Sequence, residues 1–271
     1  MEEIIGKVIV VTGGTKGVGK GLFETFSKNN TVIALARNVE EDGEKFFKCD
    51  VTDYEQVEVV FGKIIEKHKK IDILINNAGA GLGGAVEFLD VNLIDWQVKL
   101  NLMGAVYCTK AVLKYTPVDK DLKIINISSI GAFGVQPFRT MYSVAKSALN
   151  TFTVGMRQEL HNTPVKVCSI SLGDTQTDFG KHHPNDFTTS DRYGNRITHN
   201  DEKNAAISDA VKRDTRMPVD KAVEGIVKVV SKKKYRKATY LIGAKYKLLY
   251  ILSRLFTMDQ VSEIVRKLFE K

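Results

Sequence analysis

Residues Lys7-Val-Ile-Val-Val-Thr12 form a β-branched run without polar alternation, followed at once by Gly13-Gly-Thr-Lys-Gly17-Val-Gly19-Lys-Gly21. Leu22, Phe23 and Phe26 then recur at helical spacing. A short apolar run of this kind predicts a strand buried on both faces, and such strands belong to parallel sheets. Strand, glycine turn and helix in succession confine the chain to a few folds, because the turn brings backbone N–H groups at a helix N-terminus close to an anion. Two nucleotide-binding patterns overlap here. Gly14 to Lys20 fits GxxxxGK, but Gly21 stands where a Ser or Thr should hold magnesium. Thr12-Gly13-x-x-x-Gly17-x-Gly19 fits TGxxxGxG in full. The second pattern is the better match.

Beyond the turn, apolar strand-like runs alternate with helical segments, the signature of an α/β fold with a parallel sheet covered on both faces. Strands are predicted near 7–12, 31–36, 46–49, 71–76, 122–128, 165–171 and 239–242. Helices are predicted near 17–29, 53–68, 93–116, 141–161 and 219–231. No repeat or low-complexity linker divides the 271 residues, so one domain over 1–271 is expected. Charged residues at 27% and hydrophobic ones at 43% describe a soluble globular chain, and no apolar run is long enough to span a bilayer. The start Met1-Glu-Glu-Ile-Ile-Gly is acidic and unlike a signal peptide, which points to the cytoplasm. Cys49, Cys108 and Cys168 are widely spaced within apolar runs and read as buried thiols.

A second constellation lies in Met141-Tyr-Ser-Val-Ala-Lys-Ser-Ala-Leu. Tyr142 and Lys146 are four residues apart, and Ser129 lies thirteen residues before Tyr142. On a helix, i and i+4 share a face, so phenol and ammonium lie side by side. A neighbouring cation is expected to lower the phenol pKa from about 10 toward working pH. A serine at a preceding strand end then holds a carbonyl oxygen beside the phenol. Taken alone, a YxxxK pair is a common surface helix pattern.

Taken with the glycine turn, the chain resembles the short-chain dehydrogenase/reductase family over about residues 5 to 180. The motifs follow in order: Cys49-Asp50-Val51-Thr52, then Ile73-Leu-Ile-Asn76-Asn77-Ala78-Gly79, then Asn101 in Lys99-Leu-Asn-Leu-Met-Gly, then Asn126-Ile-Ser128-Ser129 and Tyr142-x-x-x-Lys146. The resemblance implies a Rossmann-type doubly wound sheet of seven strands in the order 3-2-1-4-5-6-7, with ligands beyond the carboxyl ends of the strands. It also implies a nicotinamide-dependent oxidoreductase in which Ser129, Tyr142, Lys146 and Asn101 are catalytic. Asn101 would bend its helix around a proton-relaying water. Ser128 is the rival for the serine role, and the spacing to Tyr142 favours Ser129. Cofactor contacts are expected from Gly13, Thr15, Lys16, Gly17, Val18, Gly19, Asp50, Val51, Asn77, Ala78 and Gly79, and from Tyr142 and Lys146. By the same resemblance Thr175 and Thr177 are cofactor contacts near the nicotinamide; they follow Ser171-Leu-Gly-Asp, where Leu172 replaces the proline usual in the family.

The end of the second strand decides between the two nicotinamide dinucleotides. An NAD-preferring site places a carboxylate there for the ribose 2′-hydroxyl. Here Ala36 is followed by Arg37 and Asn38, both expected cofactor contacts, with no carboxylate until Glu40, and Lys16 lies in the glycine turn. Two cations suit a 2′-phosphate, which Arg37 holds through its planar fork. NADP(H) is the expected cofactor.

Residues 178–217 are polar with little periodicity, and by resemblance they cover the substrate. His182 and His183 are adjacent and point apart, so no metal is expected. The run Ser231-Lys-Lys-Lys-Tyr-Arg-Lys237 and the net charge of +8 read as a solvated helix end, not a nucleic-acid surface. Residues 244–271 form a helical extension whose segment Lys245-Tyr-Lys-Leu-Leu-Tyr-Ile-Leu-Ser-Arg-Leu-Phe256 is amphipathic with cationic flanks. It is suited to a membrane surface, to capping the substrate pocket, or to packing on another subunit. As a pocket wall it would use Leu248, Leu249, Ile251, Leu252, Leu255 and Phe256. The reaction expected is ketone–alcohol interconversion on an apolar or amphipathic small molecule of the hydroxysteroid, bile-acid or long-chain-ketone kind. The alternatives are a 3-oxoacyl thioester reductase and a non-enzymatic binding protein. By family habit the chain assembles as a homodimer or homotetramer.

Overall fold

The sheet is built from runs whose alternate side chains are apolar on both faces. In the computed structural model, which describes residues 2–40, 42–117, 119–177, 185–186, 188, 190, 192, 216–243 and 246–269, seven strands lie parallel. They are β1 (Val8–Thr12), β2 (Thr31–Ala36), β3 (Phe46–Lys48), β4 (Ile73–Asn76), β5 (Leu122–Ser129), β6 (Val165–Leu172) and β7 (Thr239–Ile242). Their order is β3-β2-β1-β4-β5-β6-β7, as expected. Val8 and Val10 of β1 point into one core with Ile33, Phe61 and Leu74. Ile9 and Val11 point into the other with Leu22, Ile75 and Ile226. A strand feeding two cores has no polar face, which is why the sequence shows no alternation.

Helices α1 (Gly17–Phe26) and α6 (Val219–Val230) cover one face of the sheet. Helices α2 (Tyr54–His68) and α4 (Gly104–Tyr115) cover the other. Asp53 caps α2 by accepting from the Glu55 and Gln56 amides, the local signal that starts this helix. Helix α1 stops three residues short of expectation because Asn30 ties off its end: its Nδ2 donates to the Phe26 and Ile4 carbonyls, and its Oδ1 accepts from the Lys7 amide. The helix expected over 93–116 is three pieces, α3 (Val91–Val98), a π-turn (Lys99–Met103) and α4. Helix α5 (Thr140–Glu159) follows a short 3-10 turn after β5, and α7 (Lys247–Leu255) and α8 (Met258–Phe269) complete the chain. The thiols of Cys49, Cys108 and Cys168 are free and buried, and burial pushes those of Cys49 and Cys168 up to about 12. After α6, Tyr235 is buried while its basic neighbours Lys233, Lys234 and Arg236 are exposed. The substrate-covering loop expected over 178–217, with His182 and His183, lies almost wholly outside the described residues. Among the described residues, no helix is long and apolar enough to cross a membrane.

Candidate active site

The carboxyl ends of β1 and β4, where the strand order reverses, are fastened together. Thr12 Oγ1 accepts from the backbone amides of Asn77 and Ala78, each at 2.9 Å. Asn77 Nδ2 donates to the Thr12 and Gly13 carbonyls at 3.0 and 3.3 Å. Gly13 takes φ +66° and Gly17 φ +51°, values that L side chains avoid. A Cβ on Gly19 would stand 2.1 Å from the Gly13 carbonyl oxygen. This closeness lets α1 start immediately behind the turn, with no side chain capping its first N–H groups. Gly21 has a different job: a Cβ there would meet Val223 Cγ2 of α6 at 2.7 Å, so it serves helix packing and not a magnesium site. The GxxxxGK reading therefore fails on geometry as well as on composition.

Around this turn the remaining cofactor candidates separate. Thr15 Oγ1 donates to Asn38 Oδ1 at 2.9 Å, joining the turn to the end of β2. A Cβ on Gly17 would meet Thr177 Cγ2 at 3.3 Å, so Thr177 reaches the turn from across the sheet. Thr175 instead bonds its own Gly173 carbonyl at 3.0 Å. Lys16 is exposed at the start of α1, and Val18 packs partly on the core beneath. Val51 is buried under Gly104 of α4, so its side chain belongs to the core. Arg37 Nη1 lies 3.9 Å from Asp50 Oδ2. That carboxylate was invisible in the local sequence of β2 because it comes from the end of β3. The pair is long and largely exposed, so it holds Arg37 only weakly.

A second cluster sits beyond β5. Ser128 is buried and donates to the Lys146 carbonyl at 3.3 Å, while Ser129 Oγ accepts from the Gly131 amide at 3.1 Å and hydrogen-bonds with Tyr142. Of the two serines, only Ser129 meets the phenol. Lys146 is buried one turn after Tyr142 on α5, and its Nζ donates to the Ile127 carbonyl at 3.0 Å. Burial lowers its ammonium to about 8. Burial also raises the Tyr142 phenol above its ordinary value, against the lowering effect of the Ser129 hydrogen bond. The expectation that Lys146 pulls the phenol down is thus corrected. Its ammonium is aimed at the Ile127 carbonyl, and the desolvation that weakens the lysine's charge also disfavours phenolate.

Asn101 lies in the π-turn with its Nδ2 donating to the Ala80 carbonyl at 2.8 Å and the Gln97 carbonyl at 3.2 Å. Gln97, wholly buried one turn earlier, donates to the same Ala80 carbonyl at 3.2 Å. The amide oxygens of both residues are buried without a hydrogen-bond partner. A Cβ on Gly79 would stand 2.7 Å from Asn101 Oδ1 and 3.4 Å from Lys146 Nζ, so only glycine lets these groups share one space. Sequence reasoning missed Gln97. Its signal is an uncharged polar residue exactly where an apolar one would fill the core, which the eye passes over beside Asn101.

A family model described as short chain dehydrogenase matches residues 7–186, well over half of the chain. The chain is a short-chain dehydrogenase. A 3-ketodihydrosphingosine reductase of Bacteroides thetaiotaomicron is 34% identical over 176 residues, which cover 64% of this chain and 65% of that protein, a little under two thirds of its length. An uncharacterized oxidoreductase of Staphylococcus saprophyticus is 34% identical over 191 residues, covering 65% of this chain and 82% of the relative. The crystal structure of a short-chain dehydrogenase from Streptomyces avermitilis superposes with a TM-score of 0.79 at 22% identity, covering 96% of this chain and 99% of that one. Membership makes this chain an oxidoreductase.

In this dehydrogenase the C-terminal helices flank the second cluster. A Cβ on Gly173 would stand 2.2 Å from Tyr246 Cδ2, and Tyr246 hydrogen-bonds with Asp174 just after β6. Tyr250 meets Phe133, four residues beyond Ser129, edge-on with ring centroids 5.1 Å apart. The aliphatic wall expected from α7 is otherwise corrected. Ile251, Leu255 and Phe256 are exposed and Leu252 is half-buried, while the side chains of Leu248 and Leu249 lie outside the described set. Tyr246 and Tyr250 are the α7 side chains seen to meet residues beside the site.

Proposed function

We propose that this dehydrogenase uses NADP(H) to interconvert a long-chain or similarly apolar ketone and its secondary alcohol. The observation that carries the reading is the convergence of Ser129, Tyr142, Lys146 and Asn101 beyond the end of β5, beside the turn that joins β1 to α1. The residues present fit a dinucleotide. The turn is tight enough that a Cβ at Gly19 would strike the Gly13 carbonyl oxygen, and the uncapped start of α1 held behind it suits a pyrophosphate. Gly13, Thr15, Gly17, Val18 and Gly19 would hold that end, with Asp50 and Val51 at the adenine, Asn77 to Gly79 along the floor, and Thr175 and Thr177 near the carboxamide. When bound, the nicotinamide supplies or accepts the hydride at the substrate carbon. Ser129 holds the substrate oxygen, and Tyr142 gives that oxygen a proton in reduction and takes it back in oxidation. Lys146, with an ammonium already weakened by burial, returns the proton to Tyr142, and Asn101 keeps the relay behind it in place. The exposed valines Val144 and Val154 of α5 offer the face on which a second copy would form a homodimer or homotetramer.

Arg37 and Lys16 support NADP(H) over NAD(H). Arg37→Ala is expected to weaken NADPH by roughly ten- to hundredfold, the loss of one charge-assisted hydrogen bond, with little effect on NADH. Fluorescence titration with both cofactors measures it, and equal weakening of the two would transfer the role to Lys16. The long-chain ketone is favoured by the named activity of the Bacteroides relative and by the aromatic flank of Tyr246, Tyr250 and Phe133. NADPH oxidation with a long-chain 3-ketone, a keto-steroid, a sugar ketone and an acetoacetyl thioester tests the assignment. Highest kcat/KM on the long-chain ketone is expected. Preference for the sugar or thioester overturns the substrate class, and no oxidation with any carbonyl overturns the enzyme reading.

A further inference from the structure

Helix α7 presents two faces of opposite character. Tyr246, Tyr250 and Ser253, at i, i+4 and i+7, are half-buried, and the two tyrosines touch Gly173 and Phe133 beside the proposed site. Lys247, Ile251, Arg254 and Leu255, at i, i+4, i+7 and i+8, form an exposed stripe on another face. At the corner before α8 the stripe continues into Phe256 and Met258. Ile251 is 50% exposed, Leu255 73%, Phe256 45% and Met258 70%. Helix α8 does not cover them, although it is itself anchored by Val261 and Val265, which are buried. Four large apolar side chains held in the open along α7 and the corner before the anchored α8 are costly in water, and an exposed apolar group of this kind marks a contact surface.

The charge on the helix selects the partner. Within α7 the charged residues are Lys247 and Arg254, both exposed and both cationic, with no carboxylate among them. The nearest acids along the chain are Asp259 and Glu263, and Glu263 is engaged by Arg266 and Lys267 on its own helix. Apolar residues flanked by the two cations of α7, with the exposed carboxylate of Asp259 only at the far edge beside Met258, match the boundary of an anionic lipid surface, where the apolar side chains enter the acyl layer and the cations meet the headgroups. Among the described residues no helix is long and apolar enough to cross a membrane, and the contact argued for α7 is with the lipid surface. We infer that α7 and the following corner dock this dehydrogenase on anionic lipid membranes. Because a neighbouring face of the same helix borders the site, docking sets the substrate opening against the lipid. This last step rests on the proposed apolar ketone, whereas the docking itself does not.

Sedimentation of the full chain with vesicles made of equal parts phosphatidylglycerol and phosphatidylcholine, and with vesicles of phosphatidylcholine alone, tests the inference. The full chain is expected to co-sediment with the anionic vesicles and to be released by high salt. Ile251→Glu/Leu255→Glu should lower the bound fraction about tenfold. Lys247→Gln/Arg254→Gln should remove the preference for anionic lipid. Circular dichroism melts of the variants, which lie outside the proposed catalytic set, verify that they are folded. Absence of binding by the full chain, or equal binding by the folded Glu double variant, overturns the inference. So does light scattering in which that variant alone breaks a larger particle into monomers, since the stripe is then covered by a second copy. Vesicle binding is read without turnover, so failure of docking and failure of the proposed reaction are distinguished.

Discussion

Tyr142→Phe is expected to lower kcat by about 10²–10⁴-fold while NADPH affinity stays within a few fold. The substitution removes one hydroxyl and keeps the ring in its place on α5. Ser129 loses its hydrogen-bond partner but keeps the Gly131 amide, so the loop after β5 retains its anchor. What disappears is the one phenol among the described residues that Ser129 is seen to meet, and with it the proposed proton donor. Burial raises the pKa of this phenol, which keeps it protonated at neutral pH and ready to act as the acid in ketone reduction. Oxidation needs the phenolate and is expected to rise with pH over the alkaline range. Stopped-flow measurement of NADPH oxidation in both proteins, with cofactor titration in parallel, decides the matter. Near-normal turnover in the phenylalanine variant would remove Tyr142 from the mechanism.

The fold was legible where one residue type repeats a physical demand along an element. Continuous β-branched runs announced strands with two buried faces, and alternate residues of β1 do enter two different cores. The strand order came from the resemblance, because no periodicity in a single strand states which neighbour it will take. Ends were less legible. Asn30 stops α1 through three contacts reaching Ile4, Lys7 and Phe26, and none of them is a local propensity.

The site shows the same division. Spacing placed Tyr142 beside Lys146 on one helix face and chose Ser129 over Ser128, and the hydrogen bonds follow that choice. Electrostatics did not follow, since the sign of a pKa shift depends on desolvation and on where an ammonium points. Lys146 Nζ points at the Ile127 carbonyl, a backbone atom that sequence does not display. Asp50 approaches Arg37 only because β3 pairs with β2. Gln97 escaped notice because its importance lies in an acceptor shared with Asn101, the Ala80 carbonyl, seventeen residues upstream. On α7 the amphipathic pattern was clear, but its polarity was reversed in part: Tyr246 and Tyr250 turned inward while Ile251 and Leu255 turned outward.

Lys146→Met should abolish turnover and at the same time stabilise the fold at neutral pH. Burial has lowered the lysine from an ordinary value near 10.5 to about 8, so the folded chain pays for keeping an ammonium out of water. A depressed cationic group destabilises fully below its folded pKa, and the penalty fades as pH rises from about 8 toward the unfolded value. Over that window the unfolded chain binds more protons than the folded one, so stability of the parent protein increases with pH. The shift corresponds to about 3 kcal/mol at pH 7. Loss of the hydrogen bond to the Ile127 carbonyl returns roughly 1 kcal/mol. A net gain of about 1–3 kcal/mol is expected for the methionine variant, which fills the same space with an apolar chain. Denaturant midpoints at pH 7 and pH 10 are the test: the advantage should be largest at pH 7 and shrink at pH 10. A variant that is less stable than the parent at pH 7 would mean that the ammonium is held by its surroundings well enough to offset burial. Its function as a proton donor to Tyr142 would then need a trigger outside these contacts.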